Sequence, residues 1–156
     1  YENLGLAYFD NNELENAIVN FNEAIKTDPE SHTSYNYLGN VYFKQCEYIQ
    51  ARVQYEAAIR LQPENPVYLS NVGLTYYFEK LYKDALQFFN KSLAYDPDYL
   101  LALNYGGNCN LILGEYTMAE NRYRHCIALQ PEESFYFSNL GISLIKQNKI
   151  AVFLFK

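Results

Sequence analysis

The chain has 156 residues, 49 % of them hydrophobic and 19 % charged, which is apolar enough to order and too sparsely charged to behave as a disordered tail. Its formal charge of -6 argues against the clustered Lys and Arg that a phosphate backbone requires, so no nucleic-acid partner is expected. Cys46, Cys109 and Cys126 lack CxxC or paired spacing and support neither a disulfide framework nor a zinc site, and the longest uncharged run, residues 99–114, falls short of the roughly 20 apolar residues of a bilayer crossing.

Taken in chain order, the first segment carries Gly5, Tyr8, Ala17, Phe21 and then Pro29. The second carries Tyr35, Leu38, Gly39 and Tyr42 at i, i+3, i+4, i+7 spacing, followed by Tyr48, Ala51, Tyr55, Ala58 and Ile59 on the same helical period, and closes on Pro63. The third repeats the theme with Gly73, Tyr76, Ala85, Phe89 and Pro97, the fourth with Gly107, Ala119, Tyr123 and Pro131, and the fifth opens on Gly141. Glycines, alanines, second aromatics and prolines all advance by 34 residues, and only Pro66 stands outside the proline series. Each period therefore predicts two amphipathic helices. Small residues such as Gly39 and Ala51 let the paired helices approach, large ones such as Tyr42 and Tyr55 fill the space beside them, and the proline ends the second helix. A pair this short cannot bury its apolar face alone, so neighbours must stack.

A longer period lies over the first. Asp28-Pro29 and Asp96-Pro97 alternate with Leu61-Gln62-Pro63-Glu64 and Leu129-Gln130-Pro131-Glu132, which suggests a repeating pair of 68 residues. The fourth period departs most: Gly106 stands where an apolar residue is expected, Gly107 follows it, and Asn110 replaces the core aromatic. That leaves a gap for a partner side chain or another part of the parent protein to fill, unless the repeat has simply degenerated.

The pattern resembles the tetratricopeptide repeat, on the strength of Tyr35, Leu38, Gly39, Tyr42, Ala51, Tyr55, Ala58 and Pro63, with Tyr in place of the usual Trp. The resemblance implies an all-α, right-handed superhelical solenoid of antiparallel helix pairs. Its repeats would be 1–31, 32–65, 66–99, 100–133 and 134–156, the first and last truncated. Ala151 and Phe155 fit the fifth only if two residues were deleted. Tyr1 begins inside a helix without a leader pattern, and no polar capping helix precedes Lys156, so the chain is expected to be a fragment from an intracellular, cytoplasmic protein.

The resemblance also implies that first helices line a concave groove. The stretches 33–43, 66–78, 99–113 and 134–145 contain no Asp, Glu, Lys or Arg, so hydrogen bonding and apolar contact should dominate over ion pairing. Candidate contacts are Asn36, Tyr37, Asn40, Ser70, Asn71, Asn104, Tyr105, Asn108 and Asn139, with Phe9, Phe43 and Tyr77 weighed mainly as packing. Carboxamides offer both donor and acceptor and suit an extended peptide backbone, in the manner of the asparagine ladder of O-linked N-acetylglucosamine transferase. The clamp by which some family members hold acidic chaperone C-termini is disfavoured, because Leu101 and Tyr105 occupy the positions its Lys and Arg would need.

His32 and His125 sit in no catalytic motif and read as solvated, and the carboxylates form no recurring pair suited to acid-base work. No catalytic, cofactor or metal residue is predicted. The sequence reads as a non-catalytic scaffold for a protein or peptide partner, with a substrate-presenting arm of a glycosyltransferase-like enzyme and an architectural subunit of a larger complex as the other readings. Ala substitution of Asn40 and Asn108 is expected to weaken capture of a partner while sparing stability.

Overall fold

The computed structural model describes residues 1–147, and among these only helices and turns occur. The helices are α1 (Glu2–Asp10), α2 (Leu14–Thr27), α3 (His32–Lys44), α4 (Tyr48–Leu61), α5 (Pro66–Phe78), α6 (Tyr82–Tyr95), α7 (Leu100–Ile112), α8 (Tyr116–Leu129) and α9 (Ser134–Lys146). Ala151 and Phe155 lie outside the described residues. Each helix packs chiefly on its sequence neighbours, giving an all-α stack of antiparallel pairs, and the Pro after each even helix sits in the turn that leads to the next pair.

The glycine series explains how closely the pairs approach. A Cβ added at Gly5, Gly39, Gly73 or Gly107 would lie 2.7, 2.5, 2.8 and 2.8 Å from the ring of Phe21, Tyr55, Phe89 and Tyr123 respectively. The aromatic that follows each fully buried alanine (Ala17, Ala51, Ala85, Ala119) is thus pressed flat on the backbone of the facing helix. Only a residue without a side chain accommodates it there. Burying each such ring contributes on the order of 2–3 kcal/mol, more than the roughly 0.5–1 kcal/mol that a mid-helix glycine costs.

The sharp turn inside each pair has its own period. Asn12, Cys46, Lys80 and Gly114 all adopt positive φ, at 62°, 62°, 64° and 81°. Asn and Gly tolerate this left-handed region, but Cys46 and Lys80 do so under strain. Lys80→Gly should therefore raise stability by about 1 kcal/mol, read as a higher urea midpoint at unchanged slope. A lower midpoint would show that the Lys80 side chain makes up for its backbone.

Between pairs, the 68-residue alternation acquires a physical content. Asp28 and Asp96 each accept the backbone N–H two residues on, of Glu30 and Asp98, both at 3.1 Å, closing a short turn over the intervening Pro. Gln62, at the equivalent place in the next repeat, instead reaches outward: its amide N–H donates to His32 Nε2 at 2.9 Å, and His32 Nδ1 lies 2.6 Å from the Tyr68 hydroxyl. An amide nitrogen can only donate, so His32 Nε2 accepts and Nδ1–H donates to Tyr68. His32 thus joins α3 to α5 and is not merely solvated, while His125 lies 2.8 Å from Asp98 and remains partly exposed.

The first joint is held by a carboxylate. Glu2 Oε2 accepts from Thr33 and Ser34, both at 2.7 Å, and from Ser31 at 3.3 Å. Partial burial alone would raise the Glu2 pKa, but the hydroxyls of Ser34, Thr33 and Ser31 outweigh it and hold the carboxyl below its ordinary 4.5. A depressed folded value contributes stability that is present above the free carboxylate range and lost as pH falls through the folded value. Glu2→Gln should accordingly lower stability at neutral pH and flatten the decline below about pH 5, seen in melts from pH 7 to pH 3. Parallel curves for the two proteins would rule this out.

Candidate inner-face site

Odd-numbered helices touch their odd neighbours, α1 with α3, α5 with α7 and α7 with α9, while among the described residues no two even-numbered helices come as close. The stack therefore bends with the odd helices inside. Their inward side chains are those the sequence singled out, together with several it did not.

Asparagine oxygens on this face are largely committed within the chain. Tyr55 Oη donates to Asn40 Oδ1 at 2.9 Å, and Tyr123 Oη to Asn108 Oδ1 at 2.8 Å, so each tyrosine wedged on a glycine also fixes the carboxamide one residue further on. Asn71 Nδ2 donates to Asn36 Oδ1 at 2.8 Å across the α3–α5 joint. Holding the oxygen orients the amide group, so at Asn40 it is the N–H side that is left for a partner. Asn108 also hydrogen-bonds the Tyr77 side chain. The buried Asn104 Oδ1 has no partner, although Asn104 and Asn139 stand one 68-residue step beyond Asn36 and Asn71.

Two expectations change. Ser70 was expected to face a partner but is fully buried, donating at 2.8 Å to Ser92 Oγ, which in turn donates at 2.9 Å to the Pro66 carbonyl. A hydroxyl enclosed between α5 and α6 offers nothing to a ligand. Asn36 is likewise buried and acts through Asn71. Tyr37 stacks on Phe21 with ring centroids 5.7 Å apart, and Tyr105 packs edge-on against Tyr77 at 5.0 Å, so both carry core packing as well as exposed surface.

The gap foreseen at Gly106 is filled by the chain itself. A Cβ there would lie 1.8 Å from Arg122 Nη1, because the Arg122 guanidinium occupies the hollow and bonds Asn90 Oδ1. Its Nη1 is buried without a partner, and burial lowers the Arg122 pKa against the opposing influence of Cys109, Glu115 and Cys126. Asn110 donates to Glu115 Oε2 at 2.5 Å rather than opening a cavity.

A cleft of about 530 Å³ lies beside Asn40 and is lined by Phe9, Phe43, Lys44, Cys46, Tyr48 and Phe78 as well. Phe43 meets Phe78 edge-on at 5.3 Å and Tyr48 edge-on at 5.5 Å, while Tyr48 stacks on Phe78 at 5.9 Å. The rings continue through Tyr77 to Tyr105. Sequence reasoning weighed Phe9 and Phe43 as packing and missed Phe78, Tyr48, Lys44 and Cys46. Phe78 carried the one usable signal: it is the third aromatic of a Tyr-Tyr-Phe run and falls off the core spacing, and it is 44 % exposed.

No cluster of side chains suited to a metal occurs among the described residues, and no described helix is long and apolar enough to cross a membrane. Burial pushes the Cys109 thiol up to about 12 and the Cys126 thiol to about 11, so both stay protonated at neutral pH and serve packing.

Comparison with known proteins agrees with this architecture. Two sequence models, described as TPR repeat and tetratricopeptide repeat, match residues 5–45 and 30–98, together more than half the chain. No curated protein sequence matches. Among solved structures the fold is similar to MamA (TM-score 0.86, 17 % identity, covering 96 % of this chain and 81 % of that one). It is also similar to YrrB, described as a TPR protein with an unusual peptide-binding site (TM-score 0.80, 23 % identity, 96 % and 77 % covered). The first TPR of Spaghetti (RPAP3), bound to the HSP90 peptide SRMEEVD, superposes with a TM-score of 0.71 at 26 % identity, covering 76 % of this chain and 94 % of that one.

Proposed function

The chain belongs to the tetratricopeptide repeat family, and on that premise we propose that it is a non-catalytic scaffold holding an extended peptide or a partner helix along the inner face of its odd helices. The observation that carries this reading is the paired geometry at Asn40 and Asn108, where a buried tyrosine hydroxyl fixes the oxygen of an inward carboxamide. Pre-orienting a donor in this way reduces the entropy lost when a backbone carbonyl is bound. The peptide-binding site described for YrrB and the peptide bound to the first TPR of RPAP3 lend support by likeness, and we take 32, 66, 100 and 134 as the repeat boundaries, so that the working site spans the second to fourth repeats. Leu101 and Tyr105 leave the face without a charged clamp, so recognition rests chiefly on amide and aromatic groups.

The test must respect the tyrosine bonds. Ala substitution at Asn40 and Asn108 would leave two buried hydroxyls without acceptors, at about 1–3 kcal/mol each, so stability would not be spared. Asn40→Asp with Asn108→Asp keeps both acceptor oxygens and replaces the amide donors, one of which Asn108 gives to Tyr77, by negative charges that repel a backbone carbonyl. Peptides selected by display on the wild-type chain should bind this double variant at least tenfold more weakly, with the melting temperature within a few degrees. Unchanged affinity, or a selection that yields no binder, would sink the reading.

A further inference from the structure

The cleft between α1, α3 and α5 has more in it than a patch of apolar wall. Phe43 meets Tyr48 and Phe78 edge-on while Tyr48 stacks on Phe78, so the three rings form one continuous wall against which a further aromatic group can pack. Phe78, the most exposed of them, touches Phe43, Tyr48 and Tyr77 within the chain and still lines the cleft with surface open to solvent. The lining includes one cation, Lys44, and no Asp or Glu. Lys44 Nζ rests over the Phe9 ring, 4.8 Å from its centroid, and among the described residues it pairs with no carboxylate, although the chain carries 18 acidic residues against 12 basic ones. Excess acid elsewhere and none here means that this ammonium is not committed to holding the fold together. Asn40 stands at the same cleft with its oxygen taken by Tyr55 and its amide N–H free to donate.

We propose that this cleft is a side-chain pocket for a peptide carrying an aromatic residue next to an acidic one: the aromatic ring packs against the wall formed by Phe43, Tyr48 and Phe78, the carboxylate pairs with Lys44, and a backbone carbonyl between them accepts from Asn40. The proposal rests on the peptide-scaffold reading above and adds a sequence preference to it. Charge complementarity selects this occupant over a basic one, because a Lys or Arg beside the aromatic residue would face Lys44, the one charged group of the lining. The pairing is internal to the peptide and differs from capture of a chain-terminal carboxylate, since Lys44 stands in the last turn of α3 next to the Cys46 turn and has no second cation beside it.

Four ten-residue peptide libraries with blocked termini and randomised flanks test it, with Phe-Asp, Phe-Asn, Phe-Lys or Ala-Asp fixed at the centre. The wild-type chain should retain Phe-Asp about threefold to fivefold over Phe-Asn, as a partly exposed ion pair allows. The preference over Phe-Lys and Ala-Asp should be at least tenfold. Lys44→Glu, an exposed substitution that leaves the rings in place, should reverse the order of Phe-Asp and Phe-Lys. Phe78→Ala should erase the preference for Phe over Ala. If the libraries are retained without a central preference, or if Lys44→Glu leaves the order unchanged, the pocket is overturned and the scaffold reading stands. If no library is retained at all, both fall.

Discussion

Tyr55→Ala should cost about 3–5 kcal/mol of unfolding free energy, whereas Tyr55→Phe should cost only about 1 kcal/mol. The ring is 2 % exposed and lies so close to the α3 backbone that a Cβ at Gly39 would meet it at 2.5 Å. Truncation opens a cavity walled on one side by helix backbone, which cannot close in without breaking its own hydrogen bonds, so the upper part of the range for a large-to-small core change applies. Removing the hydroxyl alone leaves the ring in place and frees Asn40 Oδ1, which sits at a cleft water can reach. Urea unfolding followed by circular dichroism separates the two. An alanine variant that loses less than about 1 kcal/mol would mean that the ring is not the wedge between α3 and α4.

Two adjacent glycines should respond in opposite ways. Gly107→Ala should destabilise by about 1–3 kcal/mol, because the new methyl would meet the Tyr123 ring at 2.8 Å, and that ring is fully buried and tied through its hydroxyl to Asn108. The half to one kcal/mol gained in helix propensity does not offset this. Gly106→Ala meets only the end of the flexible Arg122 chain, and the next atom beyond the guanidinium, Phe89 Cβ, is a comfortable 3.5 Å away. Arg122 can swing out, giving up its bond to Asn90 but also rehydrating a buried Nη1 that has no partner. Gly106→Ala should therefore stay within about 1 kcal/mol of wild type, so that the two variants differ in melting temperature by several degrees. Equal melting temperatures would contradict the placement of Arg122.

These residues also show what the sequence could and could not reveal. Gly39, Ala51 and Tyr55 are legible because they recur at one step and their chemistry is local: a small residue, a large one, and a helical spacing between them. The same holds for the prolines after each even helix, whereas the odd helices as the inner wall were implied by the family resemblance and not by spacing. Arg122 was illegible because a long side chain can fold back under one turn or extend into solvent with nothing in its spacing to distinguish them. The commitment of Asn40 and Asn108 to tyrosine hydroxyls joins residues 15 apart on facing helices, and only the packed pair shows which oxygen points where. Ser70 misled for a related reason: polarity on a first helix suggested the groove, while its angular position turned it toward Ser92. The Phe9–Phe43–Phe78 cleft draws on three repeats, so no single period contains its signal.

Because each helix packs mainly on those next to it in sequence, contacts close short loops, and little chain entropy is spent before each is rewarded. Refolding is expected on the order of microseconds to milliseconds, with any pair able to start and its neighbours adding on either side. On the ribosome, at roughly 5–20 residues per second, α1 and α2 can dock before α5 has been translated. Edge-exposed intermediates are then one repeat long at most, and the inner wall is laid down in the order in which it is synthesised.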